Sequence, residues 1–269
     1  MVAFAANSVL NRLALAEGDI SPSLFAAIRL AAGASVLMIL SLAQRSHPRL
    51  WGRSRLFGAG SLALYVLGFS FAYLTLDAGL GALILFGGVQ ITMFAGAVVQ
   101  RERVPTARWI GATVSLAGLA WLLWPEGASA PDPLGAALMA AAAFGWGIYS
   151  LLGRKAADPL AETAANFTVA LPIGLLAVML TGIGPQATAL GITSAILSGA
   201  VTSGLGYALW YAVLPRLSAS LAALAQLSVP VIAVLGGAAF LGEAPAARTL
   251  LAGAVVLLGI AVGTLAARR

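Results

Sequence analysis

Amides and aromatics placed at helical spacing within apolar runs are the side chains of this sequence with chemistry to offer. Asn7 and Asn11 stand four apart, Tyr207 and Tyr211 four apart, and Trp146 and Tyr149 three apart, so each pair shares one helix face. Tyr65, Tyr73, Gln90 and Gln226 add further phenols and amides. A cavity mixing such groups suits small amphipathic zwitterions as substrates. The same residues also have plain structural uses. Tyr73, Tyr211, Trp146 and Tyr207 fit an interfacial aromatic belt, and the amides fit interhelical hydrogen bonds. Arg29 lies two turns into an apolar run, where it can engage a substrate carboxylate, snorkel, or bond helix-end carbonyls.

Covalent and metal chemistry find no support. The chain has no cysteine and one histidine, His47, which sits in an Arg-rich connection. A hydrolase needs a nucleophile beside a base, and a zinc site needs several His, Cys or carboxylate ligands. No catalytic residue, metal ligand or cofactor is therefore expected, although an intramembrane enzyme and a membrane scaffold remain the different-class alternatives. A phosphorylated cargo calls for several Lys or Arg in the cavity. Here the intramembrane cations reduce to Arg29 and Arg12, which favours neutral or zwitterionic solutes.

These residues must be positioned by membrane helices. Of 269 residues 61% are apolar and 9% charged, with mean hydropathy +0.98, whereas soluble domains carry about 25% charged residues. Apolar windows bounded by charge or turn clusters predict helices over 1–16, 22–43, 54–75, 79–99, 106–124, 133–154, 160–181, 189–213, 217–240 and 246–266. Ser21-Pro22, Pro105 and Asp132-Pro133 open the second, fifth and sixth. The first run spans roughly 24 Å at 1.5 Å per residue, short for a bilayer, and a few residues are expected before Met1. The fold class is all-α: a polytopic membrane protein of about ten helices.

Charge orients them. Twelve of the 15 basic residues, including Arg45, Arg49, Arg55, Arg101 and Arg154, fall in alternate connections on one side. By the positive-inside rule both termini are cytoplasmic, in a bacterial inner membrane. The net charge of +6 is dispersed among short connections and forms no nucleic-acid footprint. The expected partners are the bilayer and a small-molecule substrate, and both a monomer and a homodimer fit. All nine acids fall in loops or at helix ends. Transport is therefore expected to proceed without a proton-exchanging intramembrane carboxylate. Asp77 is nearest to an exception, and Glu102 and Glu243 sit beside Arg103 and Arg248, where pairing or capping is their expected use.

The sequence also repeats. Residues 78–118 and 217–259 share a small-residue helix, a central polar or Pro position, a connection with Glu, Pro and Arg, and a Gly-bearing helix. Val89 pairs with Val229, Glu102 with Glu243 and Gly111 with Gly253. Five helices per repeat is odd, so the halves, 1–124 and 133–269, lie inverted. Gln90 stands opposite Pro230, so a cavity-facing amide replaces a kink there. Gly259 and Gly263 form a GxxxG face, and Gly111 with Ser115 a second small face, both suited to close packing within the chain.

Gly242-Glu243 with Gly253 and Gly259, Arg101-Glu102 with Trp109-Ile110-Gly111, and Phe144-Gly145-Trp146-Gly147 before Arg154-Lys155 resemble the EamA-type proteins of the drug/metabolite transporter superfamily. The resemblance spans essentially the whole chain, although the first helix lacks the Trp-Gly pair expected near its start. It implies alternating-access transport. Its bacterial aromatic amino-acid exporters imply amino acids as cargo, with drugs or nucleobases as the alternative.

Overall fold

The computed structural model describes residues 1–101, 104–124, 130–154, 156–184, 186–213 and 219–265, without the side chains of 53, 54, 211, 219–225 and 227. Their order is α1 (Val2–Leu15), α2 (Pro22–Ala43), α3 (Arg53–Ala72), α4 (Ala78–Val99), α5 (Thr106–Leu123), α6 (Pro133–Gly153) and α7 (Pro159–Thr181). The next span starts as α8 (Ala189–Leu197), winds as a π-helix over Ser198–Leu205 and continues as α9 (Gly206–Val213). Then come α10 (Ala219–Leu241) and α11 (Ala247–Leu265). Among the described residues eight helices are long and apolar enough to cross a membrane, and two shorter apolar helices, Val2–Leu15 and Ser228–Leu241, accompany them. The fold is all-α and polytopic.

Helix starts follow capping chemistry. Asp132 Oδ2 accepts the Gly135 N–H at 2.7 Å, Asp158 Oδ1 accepts that of Ala161 at 3.0 Å, and Thr188 Oγ1 that of Gly191 at 3.1 Å. Ser21 does the same for Leu24, and Pro follows Ser21, Asp132 and Asp158 as the first helical residue, where its missing N–H is harmless. α7 and α10 run on through Pro172 and Pro230.

Packing pairs the early helices with the late ones. α2 lies on α7, α4 on α10 and α5 on α11, while α3 packs on α6 as the α8 and π-helical segments pack on α1. Exchanging the first five spans with the last five maps these pairs onto one another. α5 and α11 approach each other closely. A Cβ on Gly111 would lie 2.6 Å from Gly263 N, and one on Gly259 would lie 2.6 Å from Ser115 N, so the backbones meet where only glycine fits. The GxxxG face is thus occupied within the chain. Outward positions such as Met179, Leu180 and Phe240 are about 80% exposed, as lipid-facing side chains should be.

Candidate functional site

A narrow cavity opens inside the bundle between helices of both halves. It is lined by Phe4 and Asn7 of α1, Tyr65 and Phe69 of α3, Leu85 and Phe86 of α4, Trp146 of α6, Thr202 and Ser203 of the π-helix, and Tyr207 of α9. Asn7, Tyr65, Trp146 and Tyr207, four of the residues singled out above, thus meet in one place.

A hydrogen-bond network joins the halves there. Asn7 Oδ1 accepts from Ser198 at 2.6 Å and Thr202 at 3.1 Å, and more weakly from Asn11 Nδ2 at 3.4 Å. Its Nδ2 donates to the Tyr65 hydroxyl at 3.3 Å. Asn11 donates to Asn7 O at 2.8 Å and accepts from Ser70 at 3.3 Å. The α-helical pitch brings Asn7 and Asn11 together, and the π-helix turns Ser198, Thr202 and Ser203 inward. Among apolar helices these bonds both satisfy the buried groups and fix α1 on the π-helix.

Arg29 is 0% exposed, so snorkelling is not its role. Its Nη2 donates to the Tyr65 hydroxyl at 2.8 Å and its Nε to Ser203 Oγ at 3.1 Å. Its guanidinium carbon stands 5.0 Å from the Tyr65 ring centre and 5.2 Å from that of Phe69. Among the described residues Nη1 has no hydrogen-bond partner. Among the described residues no carboxylate forms an ion pair with Arg29; the recorded pairs involve Arg12 and Arg55. Gly199 makes the contact feasible, since a Cβ there would lie 2.9 Å from the Arg29 Cα.

Aromatic rings wall the rest. Trp146 stacks on Tyr149 at 5.4 Å between centres and leans on Tyr65 at 4.9 Å and Tyr207 at 5.1 Å. Phe4 and Phe167 meet Tyr207 edge-on at 5.7 and 5.9 Å.

Other expected residues lie elsewhere. Gln90 and Gln226 line a separate cavity with Phe86, Pro230 and Val256, between α4, α10 and α11. Tyr73 is fully buried, stacks edge-on against Phe69 at 4.7 Å and donates to Ala78 O at 3.3 Å, so it closes the α3–α4 corner. The Tyr211 side chain, Glu102 and Arg103 lie outside the described residues. Ser198, Thr202, Ser203, Phe4 and Phe69 join the site without standing out by residue type in the sequence. The run Ser-Gly-Ala-Val-Thr-Ser-Gly at 198–204 was the available signal.

Each end of the bundle is tied by arginine. Arg12 donates to Glu243 Oε1 at 3.3 Å and to the carbonyls of Tyr73 and Leu74, both at 3.1 Å, and lies 3.8 Å from Asp77. Glu243 in turn accepts the Ala78 N–H at 2.9 Å, at the start of α4. Its partner is thus Arg12 rather than the neighbouring Arg248, which caps α5 by donating to Trp121 and Trp124 carbonyls. Burial pushes the Glu243 carboxyl above its usual range, and Asp77 adds to this against the pull of Ala78 N–H and Arg12. At the opposite end Arg55 joins Glu162 at 2.7 Å and Asn166 at 2.8 Å. Asp158 there is partly desolvated, but the Ala161 and Leu160 N–H groups and the Ser46 hydroxyl hold it below the usual carboxylate value.

Comparison with known proteins places this architecture. Residues 133–265 match the model of the EamA-like transporter family. An uncharacterized protein of Pseudomonas aeruginosa, PA1977, is 45% identical over 97% of this chain and 91% of its own length. The chain belongs to the EamA-like transporter family. Another relative, the uncharacterized transporter YwfM of Bacillus subtilis, is 26% identical over 95% of this chain and 88% of its own. One crystal structure superposes with a TM-score of 0.71 at 25% identity, covering 100% of this chain and 98% of that one.

Proposed function

We propose that this EamA-like protein moves small neutral or zwitterionic solutes, amino acids first, by alternating access, and that its residues 1–124 and 133–269 act as two inverted halves. The observation that carries this reading is the enclosed cavity where Asn7 and Tyr65 of one half meet Trp146, Thr202, Ser203 and Tyr207 of the other. A site built across two bodies is released or sealed when they rock. Asn11 and Tyr149 form its supporting shell, and Arg29 stands behind Tyr65 and Ser203. Gln90 and Gln226 serve a neighbouring cavity on the same path.

The halves are set in a bacterial inner membrane with both termini cytoplasmic, so the Arg55 tie faces inward and the Arg12 tie outward. Among the described residues every partnered acid is held at a bundle end. The cycle is then a facilitated uniport without a proton-exchanging carboxylate in the cavity. The buried Arg29 disfavours cationic drugs, whereas flat uncharged nucleobases can stack on Trp146 and remain the second cargo class.

Proteoliposomes tested with amino acids, nucleobases, cationic drugs and sugar phosphates decide between these. Uptake of amino acids with and without an imposed pH gradient supports the reading. Selective movement of cationic drugs or sugar phosphates, or uptake that requires the gradient, contradicts it.

A further inference from the structure

We propose that the cavity recognises its cargo by a carboxylate bound to Arg29, and that an ammonium group on the same solute is dispensable. This rests on the transport reading above and names the chemical group by which the cargo is chosen.

A guanidinium carries five N–H donors and must find acceptors for them when water is excluded. Arg29 has two neutral acceptors, Tyr65 and Ser203, and an unpartnered Nη1. Both acceptors line the cavity, so the cation sits directly behind its wall, one hydrogen bond from the lining. A buried cation is costly unless an opposite charge compensates it. The described acids are engaged at the bundle ends or stand in the connections, and the recorded ion pairs leave Arg29 aside. The missing negative charge must come from the occupant. Planar bidentate pairing makes a carboxylate the natural match for a guanidinium.

An ammonium group fares differently. It needs acceptors, best an anionic one, and no carboxylate lines the cavity, whose amide and Tyr65 oxygens are already engaged. Asn7 Oδ1 takes Ser198 and Thr202, Asn11 Oδ1 takes Ser70, and the Tyr65 oxygen takes Arg29 and Asn7. Beside the neutral hydroxyls of Thr202, Ser203 and Tyr207 stand the aromatic faces of Phe4, Trp146 and Tyr207, and these suit an apolar body as well as a cation. The wall thus selects for carboxylate at one end and a ring or chain at the other.

Four probes of one shape separate the charges: 3-phenylpropionate, phenylalanine, phenylalanine amide and phenethylamine. Their binding to the protein in lipid nanodiscs is read by tryptophan fluorescence and by thermal stabilisation. We expect the two carboxylates to bind with similar Kd, and the amide and the amine about 10–100-fold more weakly, the range for losing a charge-assisted hydrogen bond. Arg29→Gln should erase the preference for acid over amide, and Arg29→Lys should keep part of it. Equal binding of phenethylamine, no binding by any probe, or an undiminished preference in a folded Arg29→Gln protein overturns the proposal. The wild-type series stands even where a variant fails to fold. Selective carboxylate binding without movement in vesicles would defeat the transport reading and leave this site intact. Movement without charge preference would do the reverse.

Discussion

Trp146 and Tyr207 differ from the amides beside them in what their loss does. Each supplies a wall of the cavity and makes ring contacts that neighbouring aromatics can partly replace. Trp146→Ala and Tyr207→Ala should therefore keep expression and folding while reducing uptake in proteoliposomes by a few-fold to about tenfold, on the order of the 0.5–1.5 kcal/mol such ring pairs contribute. Wild-type uptake by both would return them to packing roles. These aromatics, with Asn7, Asn11 and Tyr65, were legible because large polar groups are rare in apolar spans and their spacing is helical. Ser198, Thr202 and Ser203 were not. A hydroxyl in a helix ordinarily bonds back to a carbonyl one turn earlier, as Thr202 also does to Ser198 O at 2.8 Å, so its type carries little signal. The lateral reach of Arg29 to Tyr65 depends on how α2 and α3 pack, which spacing within one helix does not encode.

Helices are held at their ends by charge, and the Arg12 tie joins α1, the α3–α4 corner and the α10–α11 connection. The raised Glu243 carboxyl means that the folded protein takes up a proton more readily than the unfolded chain. Its contribution to stability is then greatest below the ordinary value of 4.5 and falls as pH rises through the higher folded-state value. Glu243→Gln keeps an acceptor for the Ala78 N–H and should flatten this slope, leaving thermal stability at neutral pH unchanged or higher. Arg12→Gln leaves the carboxylate without its cation and should lower it. Melting curves of both variants between pH 4 and 8 check this, and a Glu243→Gln protein less stable than Arg12→Gln at pH 7 would contradict it. Helix limits were readable from Ser-Pro and Asp-Pro starts, which are local chemistry. The pairing of Glu243 was not, because Arg248 is five residues away in sequence whereas Arg12 arrives only through the fold. The π-helix likewise escaped notice, since it differs from an α-helix by one residue per turn rather than by composition.

At the scale of the whole molecule, the apolar segments point to an all-helical membrane architecture before any contact is known, because lipid admits few other solutions for backbone groups. The central claim is that the cavity between the halves lies on a path open to each side in turn. Native cysteine is absent, so a single introduced thiol reports without interference. Thr202→Cys places one in the cavity, and Arg49→Cys marks the cytoplasmic face as a sidedness control. Membrane-impermeant thiol reagents applied to oriented vesicles should reach Arg49→Cys from the cytoplasmic face only. They should reach Thr202→Cys from both faces, and more slowly when phenylalanine is present. Labelling of Thr202→Cys from one face alone, or from neither while transport continues, would contradict the account.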